Sequence, residues 1–244
     1  MKAEQLSPRL EQVAQYIQTF GQQPIRLADI GSDHAYLPVH LVLKQQIDFA
    51  IAGEVVEGPF QSAQREVQAH SLEATIDVRK GDGLEVVYPQ DAINTFSICG
   101  MGGNLIRDIL KQGLDKIQMN AILVLQPNTS EQNLRSFLNK YHFDILAETV
   151  LIDQGRLYEV MVSQKVEETP LLTEEELMFG PFNLRQQTPE FSTKWQRERH
   201  NIQRILASVK QSKHVDGQKQ AELEHKINLI KEVLADDNSI KANN

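Results

Sequence analysis

Carboxylates are the side chains with which this sequence can do chemistry. Asp29, Glu54 and Asp82 stand at the far ends of three successive apolar runs, around Ile25–Ile30, Phe49–Val56 and Ile76–Arg79. If those runs are strands of one parallel sheet, the three acids meet at one rim, where ligands of open α/β sheets bind. Asp29 and Asp33 flank a single glycine, Gly31, and the spacing G-x-G-x-x-G is absent. Carboxylates repel a pyrophosphate and attract a cation, so the ligand expected here carries an ammonium or a sulfonium. S-adenosylmethionine (SAM) carries both.

Within that reading Glu54 suits a bidentate hydrogen bond to ribose hydroxyls, which alone would serve NAD as well as SAM, and Asp82 can accept from an adenine amino group. A helix N-terminus would explain any one of these acids. Three at consecutive strand ends favour a SAM site, and Gly31, Ser32, Val55 and Gly83 join them as cofactor-binding residues. Gly100-Met-Gly-Gly103 follows a fourth apolar run. Gly100 and Met101 are assigned to the same site, because glycine lets a planar group approach the backbone, although a tight turn explains the motif equally well. Asp33, His34 and Tyr36 occupy the turn after Gly31 and the first helical position, with Tyr36 able to stack on a base. Gln126-Pro-Asn128 offers amides to a base edge, or is an ordinary turn. Asp33, His34, Tyr36 and Asn128 are the catalytic candidates and Gln126 a substrate-binding one. Cys99 reads as a small core residue rather than a nucleophile. No metal site is expected, since one cysteine builds neither a disulfide nor a zinc framework.

The elements that must position these groups follow from periodicity. An opening helix spans 6–19, with Ser7 as cap and Pro8 at the first turn. Five strands, beginning near 25, 49, 76, 95 and 121, alternate with helices, and two more, 145–152 and 157–163, flank Asp153-Gln-Gly155 as an antiparallel hairpin. Seven strands of this kind make a doubly wound mixed sheet, the count of a Rossmann-like class I methyltransferase. Strands cease at Val166. Glu167-Glu-Thr-Pro170 reads as a linker and Thr173 to Glu176 as a capping box. Two amphipathic segments then follow, one with Trp195, Ile202, Ile205, Leu206 and Val209, the other with Leu223, Ile227, Ile230 and Leu234, joined by 214–217. They predict a coiled-coil-like antiparallel helical hairpin. The expected domains are 1–165, catalytic, and 166–244, helical.

Composition bounds the partners. A chain of 244 residues, 41% hydrophobic and 24% charged, supports a sizeable core and excludes global disorder. The start lacks the apolar core of a signal peptide and no run approaches membrane-spanning length, so a cytoplasmic protein without membrane contact is expected. The net charge of -8 argues against indiscriminate coating of nucleic acid. The distribution is uneven: residues 194–231 hold nine Lys and Arg against four Asp and Glu, a local +5. Arg197, Arg199, Arg204, Lys210 and Lys213 in that stretch are candidates for phosphate contacts, although a charged helix also needs a solvated face.

Five motifs in order, Ala28-Asp-Ile-Gly-Ser-Asp-His-Ala-Tyr-Leu-Pro38, Gly81-Asp-Gly-Leu84, Gly100-Met-Gly-Gly103, Leu125-Gln-Pro-Asn128 and Gly180-Pro-Phe182, resemble the bacterial tRNA (adenine-N1)-methyltransferases that act at position 22 of the D-arm, the TrmK family. The resemblance covers nearly the whole chain. It implies SAM as methyl donor, tRNA as substrate and a C-terminal hairpin that helps hold the tRNA; a monomer is expected. One departure is Cys99, where the family pattern leads us to expect a smaller residue such as alanine. Two other functions fit composition and spacing: a nicotinamide-dependent Rossmann enzyme, which the missing glycine fingerprint disfavours, and a non-catalytic RNA-binding adaptor whose working part is the basic hairpin.

Overall fold

A computed structural model describes residues 3, 5–211 and 217–241. The chain divides into two compact units, Met1–Gly180 and Pro181–Asn244. In the first, β1 (Arg26–Ile30), β2 (Phe49–Glu54), β3 (Ile76–Lys80), β4 (Thr95–Met101), β5 (Ile122–Pro127), β6 (Phe143–Asp153) and β7 (Arg156–Lys165) form one sheet in the order β3-β2-β1-β4-β5-β7-β6. Strands β1 to β5 pair in parallel, whereas β7 runs antiparallel to both β5 and β6. The expected seven-stranded mixed sheet is therefore present. The chain passes outward from β1 to β3, then crosses back to β4 on the other side of β1. This reversal puts the crevice for a ligand between the ends of β1 and β4.

Alternation along the strands sets what each face buries. Leu27 of β1 packs with Val13 and Ile17 of α1 (Pro8–Phe20), Leu37 and Leu41 of α2 (Tyr36–Leu43), and Ala63 and Val67 of α3 (Glu57–Ala69). Ala28 and Ile30 face the other way, with Ile106 and Leu110 of α4 (Gly103–Gln112) and Leu134 and Leu138 of α5 (Glu131–Lys140). Asp29 shares the parity of Leu27, so β1 carries its carboxylate into the layer beneath α1. The turn between β6 and β7 has Gln154 at φ 48° and Gly155 at φ 77°, the left-handed pair of a two-residue hairpin turn.

The first unit ends later than the linker composition implies. Arg135 on α5 is fully buried and bonds Glu148 of β6, 2.7 Å from Nε to Oε1, and Glu159 of β7. Its Nη1 also donates to the carbonyls of Leu177 and Met178, at 3.4 and 3.3 Å. Those carbonyls belong to α6 (Glu174–Phe179), which starts on the expected capping box of Thr173 and Glu176. Gly180 then turns at φ +90°, where a Cβ would lie 2.4 Å from Glu148 Oε2. A buried guanidinium needs all of its donors met. It therefore holds α6 against the sheet, and the division falls after Gly180 rather than at 165.

In the second unit α7 (Pro181–Gln186) precedes α8 (Pro189–Gln211) and α9 (Gly217–Lys241). The last two pack together, with Phe191, Trp195 and Ile202 buried on α8 and Ile227, Ile230 and Leu234 on α9. Ile205, placed on the apolar face by periodicity, is exposed. The expected connection at 214–217 falls outside the described residues except for Gly217.

Because removing one partner of a buried ion network strands the others without counter-charge, Arg135→Met is expected to lower the unfolding free energy by about 3–5 kcal/mol in equilibrium urea denaturation. A loss under about 1 kcal/mol would show that the network contributes little.

Candidate active site

The crevice between β1 and β4 opens into a cavity of about 580 Å³. Its floor is built on Asp29, which is 3% exposed and accepts two hydroxyl hydrogen bonds of 2.5 Å, from Ser32 to Oδ2 and from Ser97 to Oδ1. Ser97 lies opposite Asp29 in the β1–β4 register, so the pairing fixes that contact. Burial raises the carboxyl above the usual range, while the two hydroxyls act in the opposite sense. Gly31 leaves the strand at φ +69°, and its missing side chain makes room for Met101: a Cβ there would sit 2.1 Å from the methionine methyl.

The next three residues are strained. Asp33, His34 and Ala35 have φ of 40°, 72° and 57°, a run of left-handed non-glycine backbone that local sequence disfavours. Glu54 holds it: its Oε1 accepts the Asp33 N–H at 2.5 Å. Burial first, then the nearby Asp29 and Asp33 charges, raise Glu54 above the ordinary glutamate value, against the lowering effect of that hydrogen bond. As a result the Asp33 side chain is 84% exposed, with Oδ1 3.5 Å from His34 Nε2. His34 stacks on Tyr36 with ring centroids 5.3 Å apart and planes 14° from parallel.

The opposite wall comes from β4, β5 and α1. Gln126, expected in a turn, is instead the buried fifth residue of β5. Its Oε1 accepts from Arg9 Nη1 and from the Gly100 N–H at 3.0 Å, while Nε2 donates to the Pro127 carbonyl and to Asn128 Oδ1 at 2.9 and 3.0 Å. An amide has two donors and one two-lone-pair oxygen, so nothing remains of Gln126 for a base. It positions its neighbours instead. Asn128 Nδ2 donates to the Gly100 carbonyl at 2.7 Å, leaving one amide N–H and one lone pair exposed at the cavity. Arg9 also lies over the Tyr158 ring, 5.4 Å from its centroid.

Of the sequence-derived candidates, Asp29, Gly31, Ser32, Asp33, His34, Tyr36, Gly100, Met101 and Asn128 line the cavity together. Glu54, Val55, Asp82 and Gly83 lie beyond it along the C-terminal rim of β2 and β3, with Val55 and Asp82 exposed. Arg197, Arg199, Arg204 and Lys210 are on α8 in the other unit; Lys210 pairs with Glu224 at 2.8 Å, and Lys213 lies outside the described residues. Cys99 sits in the cavity wall, where burial and the nearby Asp29 push its thiol up, so it stays protonated and is no nucleophile. Sequence reasoning missed Arg9 and Tyr158. Arg9 is 117 positions from Gln126, and nothing local marks it.

The sequence matches the family described as tRNA (adenine(22)-N(1))-methyltransferase over residues 27–232. The chain belongs to this family. A Bacillus subtilis tRNA (adenine(22)-N(1))-methyltransferase is 38% identical over 94% of this chain and 97% of its own. Streptococcus pneumoniae Sp1610, solved in complex with S-adenosyl-L-methionine, superposes with TM-score 0.83 at 40% identity, covering 94% of this chain and 100% of that one. A Mycoplasma capricolum family member solved with S-adenosyl-homocysteine gives 0.80 at 29% identity, covering 94% and 98%.

Asp29 tests the electrostatics of the floor. A carboxyl whose folded pKa is raised contributes stability at low pH that is lost as pH rises through the folded value. Asp29→Asn removes that loss, with its oxygen still accepting from one serine and its amide donating to the hydroxyl oxygen of the other, so it is expected to raise stability at pH 7. In thermal melts against pH the gain disappears as the pH falls through the raised pKa; a gain that grows on acidification would contradict the reading.

Proposed function

We propose that this protein transfers the methyl group of SAM to N1 of adenine 22 in the D-arm of tRNA. The observation that supports this reading is the strained backbone from Asp33 to Ala35, which brings the Asp29 and Ser32 floor and the Asp33, His34 and Tyr36 side chains onto one cavity. The floor suits SAM: an acid held by hydroxyls, with no lysine or arginine among the described residues paired with it, attracts a sulfonium and an ammonium and rejects phosphate. Glu54 and Asp82 on the adjoining rim supply acceptors for ribose hydroxyls and an adenine amino group.

SAM, when bound, supplies an electrophilic methyl group on a cationic sulfur. Adenine N1 carries a free lone pair, so the protein has to position the base rather than generate a nucleophile. Tyr36, backed by His34, offers a flat face for the purine. Asn128 has one donor and one acceptor left for the base edge, while Gly100 and Gln126 fix its plane. The Asp33 carboxylate stands at the mouth, where it stabilises positive charge developing on the methylated ring. Because N1 belongs to the pairing edge, the adenine must leave its stack to reach this cavity.

The helical unit would hold the tRNA through Arg197, Arg199 and Arg204, whose guanidiniums suit backbone phosphates. A tRNA substrate supports a cytoplasmic location. No helix among the described residues is long and apolar enough to cross a membrane, and no cluster of His, Cys, Asp or Glu there suits a metal ion.

Incubation with unmodified tRNA and labelled SAM should give a single methyl group on N1 of adenine 22. Methyl on carbon or on guanine would overturn the assignment. Asp33→Asn is expected to lower kcat by roughly 10- to 100-fold with the SAM dissociation constant within about twofold of wild type. Full turnover in that variant would remove Asp33 from the mechanism.

A pH profile of SAM affinity tests the floor itself. A cation favours ionised Asp29 and Glu54, whose raised pKa values fall towards normal in the complex. Affinity should therefore strengthen as pH rises through those values, by up to about tenfold per pH unit and per carboxylate, and then level off. Calorimetry in buffers of different ionisation enthalpy should show proton release on binding; proton uptake would count against acids as the SAM-facing groups.

A further inference from the structure

A second cavity, of about 340 Å³, lies against the first and is lined by Ser7, Arg9, Asp153, Gln154, Arg156 and Tyr158. Arg9 and Tyr158 belong to both walls, so the two spaces are neighbours across one arginine and one ring. Local structure explains the composition. Asp153 and Arg156 are the paired residues on either side of the β6–β7 turn, and Ser7 is the N-cap of α1, whose first turn faces the same space with its partial positive charge.

The charges here are unspent. Among the described residues neither Arg9 nor Arg156 has a carboxylate within ion-pair distance, and the hydrogen bond of Arg9 to Gln126 uses one of five guanidinium N–H donors. Asp153 is 7% exposed, and beyond the backbone pairing of the hairpin its carboxylate has neither a hydrogen-bond nor an ion-pair partner among the described residues. Two guanidiniums suit a phosphodiester, a carboxylate suits a ribose hydroxyl, and a tyrosine ring offers a face for sugar or base. The volume falls in the lower range of small-molecule sites, comparable with a single nucleotide.

We propose that this cavity seats the ribose-phosphate of a tRNA nucleotide flanking the target adenine, with Arg156 and Arg9 on the phosphate and Asp153 on the ribose 2′-hydroxyl. An adenine extruded into the main cavity stays tethered to its neighbours, and the adjoining cavity is where that chain continues. The inference rests on the reading of the main cavity as an adenine methylation site.

Equilibrium binding of unmodified tRNA tests it without requiring methyl transfer. Arg156→Ala is expected to weaken tRNA binding roughly fivefold to tenfold and to reduce the slope of log Kd against log salt by about 0.7–0.9, the loss of one phosphate contact. Arg156→Lys should recover most of the affinity. The SAM dissociation constant and the melting temperature of both variants should stay at wild-type values. A single 2′-deoxy nucleotide beside the target adenine should weaken wild-type binding about threefold, by loss of one hydroxyl hydrogen bond. Three results would overturn the proposal: tRNA affinity and salt slope unchanged in Arg156→Ala and Arg156→Glu; SAM affinity falling in step with tRNA affinity, which assigns the cavity to the cofactor; or adenosine monophosphate binding tightly through Arg156 with no change in tRNA affinity, which assigns it to a free nucleotide. Failure of the underlying reading is separate, since wild-type protein would then bind tRNA without methylating adenine.

Discussion

Asp29 is an ionisable group buried at the end of a central strand, and two serine hydroxyls rather than a cation hold it there. That choice has consequences for the rest of the molecule. An arginine or lysine beside Asp29 would neutralise the floor and remove its attraction for a positively charged ligand. Hydroxyls satisfy the lone pairs yet leave the negative charge directed into the cavity. The β1–β4 pairing that brings Ser97 opposite Asp29 is therefore as much part of the site as the carboxylate. Glu54 extends the same economy: one of its oxygens fixes the Asp33 N–H and so holds a backbone that three non-glycine residues would otherwise avoid. Strain in that loop sets Ser32, held on the Asp29 floor, apart from the exposed Asp33 side chain and the stacked His34 and Tyr36 rings.

Two arginines show how context divides structure from function. Arg135 is enclosed by two glutamates and two carbonyls, so its charge is consumed in tying α5, the β6–β7 hairpin and α6 into one body. Arg9 has a neutral amide and an aromatic ring for company and stands between two cavities. Its charge remains for a ligand. The β6–β7 hairpin serves both ends, since Glu148 and Glu159 sit in its body while Asp153 and Arg156 border the second cavity at its turn.

Much of the sheet was legible beforehand because its signals are local. Apolar runs of four to six residues, the first four ending in Gly or an acid, mark strands whatever surrounds them, and Gly155, free to take a left-handed φ, marks the β6–β7 turn. The strand-end acids were found for the same reason, and the resemblance of Ala28–Pro38 to a known family motif added the activity. Gln126 was misplaced because Pro127 looks like a strand stop, whereas Pro at the end of β5 costs no ladder bond that the strand needs. Arg9 and Tyr158 went unnoticed because neither spacing nor neighbours distinguish them from solvated surface residues.

The sequence by itself determined the strand and helix order, the acidic character of the β1–α2 turn and the amphipathic faces of the C-terminal helices, since each depends on residues within a few positions of one another. Only the tertiary structure decided which acids reach the cavity, that Gln126 is saturated and Asn128 is not, and that α6 belongs to the first unit. Those outcomes rest on contacts between residues such as Arg9 and Gln126 or Arg135 and Met178, far apart in the chain. Hydrogen-bond satisfaction of a buried group is a property of its whole surroundings, which no local pattern contains.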